Sequence, residues 1–151
     1  MNGKHAWTTD LIFDALSSSS LVTSNQASIT LEQGTSAAIH LTLHSMGDLP
    51  VFITAEGEQV LVECILWPQS MINDVAAFND EVLVTHKIFP LSTISLDTLP
   101  NGDRYYTMFG ALSAFSAFDD IVFEIELLAD NVIKAADAYS KFLPEYSKED
   151  L

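Results

Sequence analysis

Between Ala37 and His44 apolar and polar residues alternate, with Ala37, Ile39, Leu41 and Leu43 set against Ala38, His40, Thr42 and His44. A period of two predicts a strand with one buried face. A shorter alternation at Ser28–Leu31 pairs with it through Glu32-Gln33-Gly34. Val51–Ala55, the turn Glu56-Gly57-Glu58 and the run Gln59–Trp67 then read as a hairpin, stopped by Pro68. Leu91–Asp97 and Arg104–Ser113 form a second hairpin around Pro100-Asn101-Gly102-Asp103, which is strong turn chemistry.

Helical spacing governs the remaining segments. Trp7, Leu11, Ala15 and Leu16 recur after Thr8 or Thr9 as cap, with the serines 17–20 ending the helix. From Gln69 to about Lys87 the residues Met71, Ile72, Val75, Ala76, Phe78, Val82 and Leu83 follow the same period, and Pro90 limits the end. The last helix has Ser116 and Asp119 placed like a capping box and a broad stripe from Phe118 to Leu143. Lys134 and Lys141 sit toward its negative end, and Pro144 closes it. The order is helix, three or four strands, helix, two strands, helix. Too few helices stand between strands for a parallel sheet, so the fold class is α+β. We expect an antiparallel sheet of five or six strands with three helices packed mainly on one face, and residues 1–151 as a single domain.

Charge narrows the functional classes. The 151 residues carry 6 Lys+Arg against 21 Asp+Glu, a net charge of −15, while 48% of positions are hydrophobic. Nucleic-acid binding relies on cations neutralising phosphates, and an anionic leaflet repels the same surface. The opening Met1–Trp7 has no apolar segment of secretory type, and no apolar run is long enough to span a bilayer. A single cysteine, Cys64, fits a reducing compartment, so a cytoplasmic location is expected without membrane insertion. Cys64 alternates with Val60, Val62 and Leu66 and lacks a neighbouring cation in sequence, which reads as a buried small hydrophobe rather than a nucleophile.

Candidate chemistry is thin. On a strand, His40 and His44 stand roughly 13 Å apart, too far to share one ion, and neither His5 nor His86 has ligand spacing to them. The carboxylates Asp10, Asp14, Asp119, Asp120, Glu124 and Glu126 read as caps and a solvated acidic face. Gly110-Ala111-Leu112-Ser113 lacks the spacing of a nucleophile elbow. No catalytic, cofactor-binding or metal residue is expected.

One feature exceeds the needs of a core. Phe123 and Leu127 lie off the main stripe of the last helix, four residues apart, and the strand Tyr105-Tyr106-Thr107-Met108-Phe109 carries bulky residues on both faces. Apolar surface rimmed by charge marks contacts. Phe123, Leu127, Tyr105, Tyr106 and Phe109 are therefore the candidate interface residues, in a homodimer or against a partner.

The segments Thr54–Val62, Leu83–Lys87 and Phe118–Leu128 resemble the YjfI-like family of uncharacterised bacterial proteins, a likeness running from Trp7 to Leu143. Members are often encoded near membrane-remodelling proteins similar to phage-shock protein A, which implies an envelope-stress setting. The element order is also similar to that of the small acidic type III secretion chaperones, which dimerise and bind extended client segments. Together these lead to a non-enzymatic, chaperone-like adaptor with a basic or amphipathic protein client. The alternative is a small-molecule enzyme using carboxylates in a cleft.

Overall fold

A computed structural model describes residues 5–144. Met1–Lys4, most of the stretch read for a secretory leader, lie outside the described residues. Six strands form one antiparallel sheet in the order β1-β2-β3-β4-β6-β5: β1 Ala27–Glu32, β2 Ala38–Leu43, β3 Leu49–Glu56, β4 Gln59–Pro68, β5 Thr93–Thr98 and β6 Arg104–Ser113. Helix α1 (Thr9–Ser17), a short turn of helix α2 (Ser20–Thr23), α3 (Val75–Thr85) and α4 (Phe118–Ala138) complete the fold. The expected α+β class and element order hold.

Each strand turns alternate residues to one common covered face, with a register shift in β4 between Ile65 and Trp67 and with Thr107 buried on the opposite face. Ile39, Leu41, Val51, Ile53, Val60, Val62, Cys64 and Met108 lose all contact with solvent. Helix α1 packs on β1, β2 and β3, while α4 crosses β3, β4 and β6. Trp7 ties the N-terminal segment to the start of α4, its indole N–H donating to the Ser116 carbonyl at 2.7 Å. Phe78 of α3 sits at the centre of an aromatic cluster, edge-on to Trp67, Tyr106, Tyr139 and Phe142 at 4.7–6.0 Å. Such tilted contacts add to burial, which is worth roughly 1.5–3 kcal/mol for a side chain of this size.

The helices differ from expectation in four particulars. Helix α1 buries Thr9, Ile12 and Leu16 rather than Leu11, which is half exposed, and the serines that end it lead into the short helix α2. Helix α3 begins at Val75, not Gln69. A single 3-10 turn spans Gln69–Met71, and Asp74, at φ 56°, caps α3 by accepting from the Ala77 N–H. Of the apolar residues before it, Ile72 is buried in the core in extended conformation and outside any helix. The capping-box expectation at Ser116 fails, because Ala117 is the N-cap and no side chain bonds there. Finally, α4 ends at Ala138, so Lys141 lies beyond it and pairs with Glu81 at 2.8 Å instead of facing the helix terminus.

Candidate functional site

Strand alternation that buries one parity presents the other on the opposite face, and no helix packs there among the described residues. Pairing across five strand boundaries aligns Thr30, His40, Phe52, Glu63, Phe109 and Thr93 in one row on this open face. Ile65, Thr107 and Ser95 form the next row, and Tyr105 stands opposite Asp97 beyond it. Ile65 is 54% exposed although it belongs to a central strand. A groove of about 550 Å³ is lined by Ala38, Phe52, Thr54, Glu63, Ile65, Asp97, Leu99, Tyr105 and Thr107. Its floor is apolar, and its ionisable groups are acids.

The polar groups of the groove are ordered. The Thr107 hydroxyl donates to Asp97 Oδ2 at 2.7 Å, so the Ser95 hydroxyl donates to Thr107 Oγ1, also at 2.7 Å. Burial, and secondarily the negative charge of Asp97, push the Glu63 carboxyl above its ordinary value. His40 stacks on Phe52 with ring centroids 4.9 Å apart, at one end of the row. The described ion pairs are His40–Glu32, His44–Asp48, Lys134–Asp130 and Lys141–Glu81, none of which reaches Glu63 or Asp97.

The candidate interface residues separate. Tyr105 and Phe109 lie on the open face, half-buried. Tyr106 does not belong with them. It is 3% exposed on the helix-covered face, where its hydroxyl donates to Asn79 Oδ1 and accepts from Gln69 Nε2. Adjacent strand residues point to opposite faces, so one strand cannot present all its bulky side chains to one partner. Phe123 is 55% exposed and Leu127 half-buried, on the outer side of α4 away from the groove strands.

Several features escaped the sequence. Leu83 and Val84, 73% and 76% exposed, line with exposed Leu91 a hollow of about 700 Å³ at the end of α3, and Ile88 in the same segment is exposed too. Glu124, read as solvated, is 2% exposed with Oε1 unpartnered, and burial raises its pKa. Its carboxyl lies on Gly110, where a Cβ would stand 1.5 Å from Oε1. His40 and His44 do not meet: His44 leaves the strand and bridges Ser28 and Asp48. No group of three or more His, Cys, Asp or Glu side chains suited to a metal occurs among the described residues. Cys64 is buried as expected, and burial followed by the charge of Glu63 pushes its thiol up to about 12. No described helix is long and apolar enough to cross a membrane.

The fold and groove define a class: an antiparallel sheet covered by helices on one face and, among the described residues, uncovered on the other. The chain belongs to the bacterial family of uncharacterised conserved proteins called DUF2170, whose model matches residues 6–143. It is 31% identical over 105 residues to the uncharacterised protein YjfI of Escherichia coli K12, covering 70% of this chain and 78% of that protein. YjfI of E. coli O157:H7 matches at the same level, 31% over 105 residues. The resemblance read from the sequence is thereby borne out. Among solved structures, the chain is similar to YbjN of E. coli, described as a candidate transcription regulator, with a TM-score of 0.62 and 14% identity. That alignment covers 95% of this chain and all of YbjN, and at such identity it speaks for the fold alone.

Proposed function

We propose that the chain is a non-enzymatic protein-binding adaptor whose working surface is the open face of the sheet. One observation carries the reading: a central strand of a six-stranded sheet exposes Ile65 beside Phe52 and Tyr105, in a groove that nothing in the described chain covers. Soluble domains leave such surface bare chiefly where a partner fills it. A chaperone-like client segment, apolar and basic, suits the groove. An envelope-stress setting is part of the proposal, as the family resemblance implies, and the buried lone thiol of Cys64 suits a reducing cytoplasm. If the protein regulates transcription, as the description of YbjN suggests for that protein, a net charge of −15 favours action through another protein over direct contact with DNA.

Self-association belongs to the same reading. The exposed aliphatic residues Leu83, Val84, Ile88 and Leu91, with Phe123 and Leu127 on α4, are the surface offered to a second copy. The Leu91 loop is tied to α4 by the buried Asn131, whose amide donates to the Pro90 carbonyl at 3.0 Å.

Selection of a displayed random-peptide library on the full chain tests the adaptor reading. Peptides should be enriched on wild type and lost on a folded Phe52→Asp, Ile65→Asp variant. Enrichment that survives in that variant, or no enrichment at all, contradicts it.

A further inference from the structure

The open-face groove combines an apolar floor with two carboxyl groups and, among the described residues, no Lys or Arg side chain in its lining, His40 beside Phe52 being paired with Glu32. Of the described cations, Lys134 and Lys141 pair with Asp130 and Glu81, and Lys87 lies beyond α3. Arg104 has the strand parity of the helix-covered face. Glu63 is half-buried, and among the described residues no side chain donates a hydrogen bond to its carboxyl. Asp97 has one bond, from Thr107. Two acids in partly desolvated surroundings repel each other and lose hydration, and a cation arriving between them relieves both terms.

We propose that this groove holds a basic amphipathic segment of a partner protein, with Lys or Arg side chains set against the Glu63 and Asp97 carboxyls and the flanking apolar side chains on Phe52, Ile65 and Tyr105. This rests on the adaptor reading and specifies its ligand. A second copy is a poor occupant, because a two-fold stack of open faces brings two copies of Glu63 and Asp97 together in an apolar interface. Nucleic acid and anionic lipid present phosphates to the same carboxylates. A bare metal ion would find two acids and no third ligand among the described residues. A segment that alternates apolar and cationic side chains meets both chemistries at once.

The test uses labelled synthetic peptides and fluorescence anisotropy at physiological salt, which screens the general negative field beyond about 8 Å. One probe alternates Leu with Lys, a second Leu with Glu, and a third Leu with Gln. The Leu–Lys peptide should bind, and Glu63→Gln with Asp97→Asn should weaken it about tenfold, equivalent to about 1.4 kcal/mol. Glu56→Gln with Glu58→Gln removes the same charge from the β3–β4 turn and should change affinity less than about twofold. If the double groove variant does not fold, Glu63→Gln alone should still weaken binding about threefold. Equal losses in both charge-matched pairs, or equal binding of the Leu–Glu peptide, overturn the proposal. Library selection that returns purely apolar peptides on this face would overturn it while leaving the adaptor reading intact.

Discussion

Glu124 and Gly110 show how one residue decides what its neighbour can be. A carboxyl with one unpartnered oxygen lies under α4 because β6 has no side chain beneath it. Gly110→Ala should destabilise by about 1–3 kcal/mol through overpacking. Glu124→Ala should recover part of that loss, so denaturant melts of the double-mutant cycle should depart from additivity; additive losses would separate the two residues. Burial raises the Glu124 pKa, so the folded protein holds this proton more tightly than the unfolded chain does. Its contribution to stability is complete below the ordinary carboxylate range and is lost as pH rises through the raised value. Glu124→Gln should therefore gain on wild type between about pH 4 and pH 8, and a difference in stability that is flat across that range would contradict the assignment.

At the scale of elements, strands were legible where helices were only partly so. Period-two alternation names the two faces of a strand whatever packs on them, so β2, β3, β4 and β6 follow closely from the sequence. It does not say which face receives the helices. In β4 both parities are apolar, with Val60, Val62 and Cys64 covered and Leu61 and Ile65 on the open side. Bulk on both parities of β4 and β6 is the sequence signal for the groove, carried in β6 by Tyr105 and Phe109 and in β4 by Leu61 and Ile65. The position of Glu124 depends on α4 crossing over Gly110, a long-range fact that no local pattern holds. In α3, the apolar residues exceed the buried face: Phe78 and Val82 enter the core while Leu83 and Val84 face solvent. Phe78→Ala should cost about 3–5 kcal/mol in chemical denaturation. Val84→Ser should stay within about 0.5 kcal/mol, and a large loss there would mean that its exposed surface is covered in solution.

For the whole molecule, a large negative charge keeps copies apart while two apolar surfaces invite contact. If the aliphatic end of α3 joins two copies, light scattering after size exclusion should give twice the 16.6 kDa chain mass at micromolar concentration. Leu83→Ser with Val84→Ser should then return the monomer, whereas a monomeric wild type would remove self-association from the reading. The bare sheet face remains the central claim, because it gives an acidic domain of this family an apolar groove with its own charge. Amide NMR of the full chain, titrated with the Leu–Lys peptide, addresses it most directly. Saturable shifts should gather at Phe52, Glu63, Ile65, Asp97 and Thr107 on neighbouring strands. Shifts confined to α4 or to the Leu83–Leu91 segment, with the sheet residues unmoved, would contradict the account.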